Sequence, residues 1–459
     1  MSRIDFIPLN VNGGFPKGSE QRRARILNVI SEDSPIENER RISGLGAEAH
    51  KVYEVDIDDL IYNFQNYRFF LERATYENQK GESFYTTESN RFDAARITEE
   101  KIWNQDKSEN EKTISSLLMD GQIEPAVCDM AGVVVSGNRR LTLLHQIKRR
   151  REAGWYKNSK ISQSRFDELS KIRIVILRHT MSVGEIESYE TRLQHNESGK
   201  LDYDRTAKYF IVRNLLHNHH KTPEVIYAEN QNMPSLGKVK DVDKFVRVAD
   251  LMDEYLTFIK LPKMYTQLEG TEDPLRFLDD HLRAIADGKI SRIGNRDAQI
   301  SEYKTTYFTA LRAAKLLSSK DSGSPGEKWY RSMLTAFENN SRGWNDLSKL
   351  SMSATVGDSM PEKIDDVSIR EHQQDWKEKH GRNVAVGIAD AVEDVRDYKK
   401  YSEKPEKLLE KARDALEQFD KMLSTDDAQI YLESIENPTG LIDDIRMKAN
   451  SILNRLPVD

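Results

Sequence analysis

Cysteine is almost absent: Cys128 is the single thiol in 459 residues. One thiol excludes an intrachain disulfide framework and cannot build a cysteine-rich zinc site. Because Cys128 follows Ala126 and Val127 in an apolar run, it reads as an inert buried thiol. Long hydrophobic runs are missing as well. Nothing approaches the roughly 20 apolar residues needed to cross a bilayer. The opening MSRIDFIPLNVNGG has no uninterrupted apolar segment and no small-residue cleavage pattern, so no signal peptide is expected and a cytoplasmic location follows. Excess positive charge is the third absence. The formal net charge is -7, so no global field draws the chain to nucleic acid, and such contacts must come from local basic patches.

What is present is a polar chain, 37% hydrophobic and 32% charged, too long for one core. A prior of about 150 residues per domain suggests about three. Residues 1–50, rich in Gly, Ser, Arg and Glu, read as a loosely attached arm. Residues 51–180 read as a compact α/β unit, and 181–317 as a helical region. A Ser/Gly-rich linker over 318–326 leads into a C-terminal helical interaction region, 318–459. The expected fold class is α+β, a small sheet core followed by helices.

Within 51–180, Lys51–Val55 is strand-like, and the run from Tyr62 to Arg68 is too polar for a core strand and reads as a structured loop. A helix is expected near 86–106 and another over Thr113–Met119, stopped by Gly121 in a positive-φ conformation. Strands follow at Ala126–Asp129 and Val133–Val135, then a helix over Leu141–Arg150, a helix near 161–168 and a buried strand over Ile172–Leu177. The most informative stretch is the turn from strand to helix, Ser136-Gly137-Asn138-Arg139-Arg140. Helix-start amides with two guanidinium groups suit a phosphate. The alternative is a helix start followed by ordinary surface arginines.

These residues resemble the ParB/sulfiredoxin-like fold, nearest to its chromosome-partition branch. Asn66-Tyr67-Arg68 resembles the family's asparagine-proline-arginine loop, with tyrosine in place of proline. Gly121-Gln122-Ile123-Glu124-Pro125 is similar to its glycine-hydrophobic-x-proline turn, and Gly137-Asn138-Arg139-Arg140 to its phosphate motif. The region Gln194–Asp204 is comparable to a third family element, although Glu197-Ser198 stands where glutamine-arginine is usual. The resemblance covers roughly residues 51–260. It implies a nucleotide site made by Arg68, Gln122, Ser136, Gly137, Asn138, Arg139, Arg140, His195, Asn196 and Lys200. ATP or CTP would be the ligand, with Mg²⁺. The sulfiredoxin reaction is not expected, because its glycine-cysteine-histidine-arginine motif has no cysteine here.

Two readings stand for Glu124: a Mg²⁺ ligand or catalytic carboxylate, with Asp120 as its companion, or a solvated loop acid. Asp120 also suits a turn-stabilising role. The segment 222–259 is similar to a helix-turn-helix, with Lys238, Lys240, Lys244 and Arg247 as DNA contacts, or else a solvated helical surface. His217-Asn218-His219-His220 reads as a wet helix end, because adjacent residues on a helix point in different directions. The function these features imply is a DNA-associated nucleotide switch, with or without hydrolysis, in antiphage defence or mobile-element maintenance. Its expected partners are DNA, nucleotide, and a second copy or a helical protein, but no membrane. The competing expectations are a Mg²⁺-dependent endonuclease, a phosphotransferase and a non-catalytic interaction or transcription-regulating module.

Overall fold

The computed structural model describes residues 6–9, 15–42, 45, 48–64, 70–81, 83–177, 189, 206–231, 233–290, 292–317, 328–401, 405–423 and 438–453. The fold is α+β. Six strands, β1 (Glu37–Arg41), β2 (Ala49–Asp56), β3 (Ile61–Tyr62), β4 (Ala126–Cys128), β5 (Val133–Ser136) and β6 (Lys171–Ile176), form one sheet in the order β1-β2-β6-β4-β5-β3. The pairs β1–β2, β2–β6 and β4–β5 are antiparallel, whereas β4–β6 and β3–β5 are parallel.

Alternation along the strands sorts the core. Ile172, Ile174, Ile176, Ala126, Cys128 and Val134 join one buried cluster, while Val175, Leu177, Val127, Val135 and Val52 join another on the opposite face. Central strands buried on both faces need this near-continuous apolar composition. The edge strand β1, Glu-Asn-Glu-Arg-Arg, is charged and largely exposed, which discourages pairing with another chain. Cys128 is fully buried, and burial raises its thiol pKa.

The first face is covered by helices α1 (Ser19–Glu32), α3 (Arg91–Gln105), α4 (Lys107–Asp120), α5 (Asn138–Glu152) and α6 (Gln163–Leu169). Helix α4 starts earlier than its apolar spacing suggests. The Asp106 carboxylate caps it by accepting the Glu109 amide at 3.0 Å, and Gly121 at φ +79° ends it.

Two expectations are corrected in this unit. Residues 1–50 are not a loose arm where they are described. Ile26 of α1 is fully buried, the buried Arg22 donates to the Ala131 carbonyl at 3.3 Å, and β1 extends the sheet. The charged run Gln21–Arg25 hid one apolar stripe. Tyr62, expected to open a loop, instead ends a short buried strand with Ile61, parallel to β5. Its two residues are too few to show a period. Arg68, the third family element and the 318–326 linker lie outside the described residues.

The helical region comprises α7 (Ala207–His217), α8 (Pro223–Glu229), α9 (Asp241–Phe258), α10 (Glu272–Ala286), α11 (Arg296–Leu316), α12 (Met333–Glu338), α13 (Arg342–Thr355), α14 (Asp366–Trp376) and α15 (Arg382–Tyr401). One continuous buried cluster runs from Tyr209 to Val395 and also takes in Leu71. The expected division at 317/318 is therefore not a division of the core, because α11 packs on α10, α13 and α15 alike. Trp344 of α13 stacks on Tyr303 of α11 with ring centroids 5.2 Å apart. Arg312, buried in α11, bonds Asp358 at 2.6 Å and Gln373 at 3.1 Å and lies over the Trp376 ring. Two further helices, α16 (Pro405–Leu423) and α17 (Pro438–Leu453), have mostly exposed side chains where these are described. No helix among the described residues is long and apolar enough to cross a membrane.

One helix joins the two regions. Helix α2 (Phe70–Lys80) belongs in sequence to the sheet unit but docks on the helical region. Phe70 stacks on Phe210 at 5.3 Å, Thr75 accepts the Thr266 amide at 3.1 Å, and Asn78 donates to the Pro262 carbonyl at 3.0 Å.

Candidate anion-binding site

The strand-to-helix turn is built as its sequence suggests, but its side chains do different work. Gly137 sits at φ +108°, ψ +13° between β5 and the 15-residue helix α5. A Cβ there would lie 2.7 Å from the Ala126 Cβ on the neighbouring strand, so glycine is needed for both backbone and space. Among the described residues no side chain caps α5. A helix start leaves its first amides without intrahelical acceptors and carries a partial positive charge, which together favour an anion.

Asn138 is buried and holds the turn rather than presenting itself outward. Its Oδ1 accepts the Asn63 amide at 2.9 Å, and its Nδ2 donates to the Val134 carbonyl at 2.9 Å. This knots the chain leaving β3 to the β5–α5 turn. Residues 65–69, next along the chain and carrying Arg68, lie outside the described residues.

Both arginines turn to neighbouring elements. Arg139 donates to the Asn110 side chain at 2.7 Å and to Thr113 at 3.4 Å on α4. Its half-buried guanidinium has its pKa lowered by desolvation, against the raising effect of Asp106 and Glu109. Arg140 donates to the Glu124 carbonyl. The expectation of a guanidinium fork on a phosphate is thus replaced by two braces. Ser136 is half-buried at the end of β5.

The proline turn is likewise structural. Gln122 is 5% exposed; it donates to the Lys171 carbonyl at 2.7 Å and accepts the Arg173 amide at 3.1 Å, stitching the turn to β6. Glu124 is exposed and paired with Arg40 at 2.7 Å, and Asp120 accepts the Ser116 hydroxyl at 3.1 Å. Among the described residues no group of three or more His, Cys, Asp or Glu side chains is placed to hold a metal ion. Glu124 and Asp120 are thus engaged separately, by Arg40 and by Ser116. His195, Asn196 and Lys200 lie outside the described residues.

The four candidate DNA contacts divide into pairs. Lys244 bonds Asp280 at 2.7 Å and Arg247 grips Asp279 at 2.7 and 3.1 Å, both across to α10. Lys238 and Lys240 are exposed at the start of α9. The histidine run ends α7, with His219 facing Asn214 at 3.2 Å.

Sequence reasoning missed a buried polar cluster beneath residues 6–9. Glu99 of α3 is fully buried and paired with Arg149 of α5. Burial raises the Glu99 pKa to about 7, against the lowering effect of Arg149. Arg149 also donates to the Ile7 carbonyl at 3.0 Å, and Gln146 makes two bonds to the Ile7 backbone at 3.2 and 2.9 Å. His145, whose pKa burial pushes well down, packs on Phe15 at 4.2 Å. Thr142, Gln146 and Arg149 interleave with Leu141 and Leu144, and that polar stripe on an otherwise buried helix was the available signal. No protein-family model matches this chain, and neither a curated protein nor a solved structure matches it.

Proposed function

We propose that the chain is a ParB/sulfiredoxin-like nucleotide switch whose triphosphate is seated on the amides that open α5. The observation that carries this reading is the uncapped α5 start, held by Gly137 at positive φ and by the Asn138 knot on a buried sheet. Preorganised main-chain donors hold an anion without reorganising, and Arg139 and Arg140 act as positioning residues that fix the turn. The segment 65–69 runs from the Asn63 contact into α2, and α2 is docked on the helical region. A ligand at the turn thus has a short covalent route to the helices. For a switch it must favour one arrangement of the two regions over the other.

ATP and CTP both suit the donors, which read phosphate rather than base. In this proposal duplex DNA meets Lys238 and Lys240, because Lys244 and Arg247 are already paired. The contact is electrostatic and weakens as salt rises. The endonuclease reading finds less support, since Glu124 and Asp120 are engaged separately.

Calorimetric titration of the full chain with the four nucleoside triphosphates and Mg²⁺ tests the proposal. At least one triphosphate is expected to bind while its parent nucleoside does not. Asn138→Leu, which removes both bonds of the knot, should weaken that binding about tenfold, the loss expected when roughly 1.4 kcal/mol of preorganisation disappears. Equal binding of nucleoside and triphosphate, or no binding of any, would contradict it.

A further inference from the structure

A cavity lies where the sheet unit meets the helical region. Its volume is about 330 Å³, and its walls come from α2 and α3 on one side and from the turn Tyr265–Leu268 and α14 on the other. That is the lower end of the range of small-molecule sites, about 300–1,000 Å³. The lining has the chemistry of a small aromatic anion. Tyr76 and Tyr85 supply rings, packed edge-on at 6.1 Å. Arg73, Lys101 and Arg370 supply three cations against the two carboxylates Glu72 and Asp366.

Two further observations point to a ligand. Lys101 and Arg370 are exposed at the cavity and come from different regions of the chain, and neither has an ion-pair partner among the described residues. The Thr98 hydroxyl in the same wall is buried and has no hydrogen-bond partner among the described residues. An unpaired buried hydroxyl is uncommon, and this one belongs to a residue of the cavity wall.

We propose that this cavity binds a nucleoside monophosphate, with its base against the tyrosine rings and its phosphate between Lys101 and Arg370. Base–aromatic stacking tolerates any base, because every base has a π-face, so selectivity falls on the ring-plus-phosphate combination. The ligand ties α3 to α14 and thereby fixes how the two regions dock. The site is separate from the α5 turn and independent of the triphosphate reading.

Calorimetric titration of the full chain with AMP, GMP, CMP, UMP and inorganic phosphate decides the matter. At least one mononucleotide is expected to bind, with phosphate at least about tenfold weaker. Lys101→Ala and Arg370→Ala, both at exposed positions, should each weaken the mononucleotide about tenfold at an unchanged melting temperature. Asn138→Leu should leave it unchanged. Absence of mononucleotide binding, phosphate binding as tightly as the nucleotide, or insensitivity to both cation variants would overturn the proposal. So would loss of binding in Asn138→Leu alone, which would assign the mononucleotide to the α5 turn.

Discussion

Gly137→Val is expected to lower the unfolding free energy by about 2–6 kcal/mol, read from urea denaturation of the full chain. Two costs add. A β-branched residue held at φ +108° sits in backbone space that L side chains avoid, worth about 1–3 kcal/mol. Its Cβ would also lie 2.7 Å from the Ala126 Cβ, and overpacking a well-filled site costs about 1–3 kcal/mol. The clash cannot be relieved cheaply, because Ala126 is itself paired to Ile174 of β6. A variant within about 0.5 kcal/mol of the parent would show that the turn is not built around glycine.

The second large effect belongs to the buried pair of Glu99 and Arg149. Arg149→Met is expected to cost about 3–5 kcal/mol at pH 8.5, because it leaves a buried carboxylate without its partner. The cost should shrink at pH 5, where Glu99 is protonated in the folded chain. The sign follows from the direction of the shift. The Glu99 pKa is about 7 in the fold against the ordinary 4.5, so the folded state holds the proton more tightly than the unfolded state. Its contribution is fully present below the unfolded value and is lost as pH rises from about 4.5 to about 7. That window is worth on the order of 3 kcal/mol. Glu99→Gln should flatten the stability profile across it. Parallel profiles for the parent and Glu99→Gln, measured by urea unfolding from pH 4.5 to 8.5, would contradict this account.

The sheet unit was largely legible because its signals are local. Val133–Val135, Ile172–Ile176 and the Gly121 stop each carry their own period or turn chemistry, and each formed where expected. The Gly137 turn was legible for the same reason. The roles of its side chains were not, because a guanidinium next to a helix start looks identical whether it faces a ligand or a neighbouring helix. Only the placement of α4 and the proline turn shows that Arg139 reaches Asn110 and Arg140 reaches Glu124. Lys244 and Arg247 repeat the lesson, since their partners Asp280 and Asp279 lie more than thirty residues away on α10. Glu99 escaped notice because a lone carboxylate in a helix normally reads as surface. It becomes a buried ion only once α5 brings Arg149 beside it.

The central claim is that the amides opening α5 hold an anion. Amide hydrogen exchange of the full chain, with and without saturating ATP or CTP in Mg²⁺, tests it most directly. The account predicts slower exchange at Asn138, Arg139 and Arg140 in the presence of the bound triphosphate, with added protection in α2. Nucleotide-dependent protection confined to other segments, with those three amides unchanged, would contradict it.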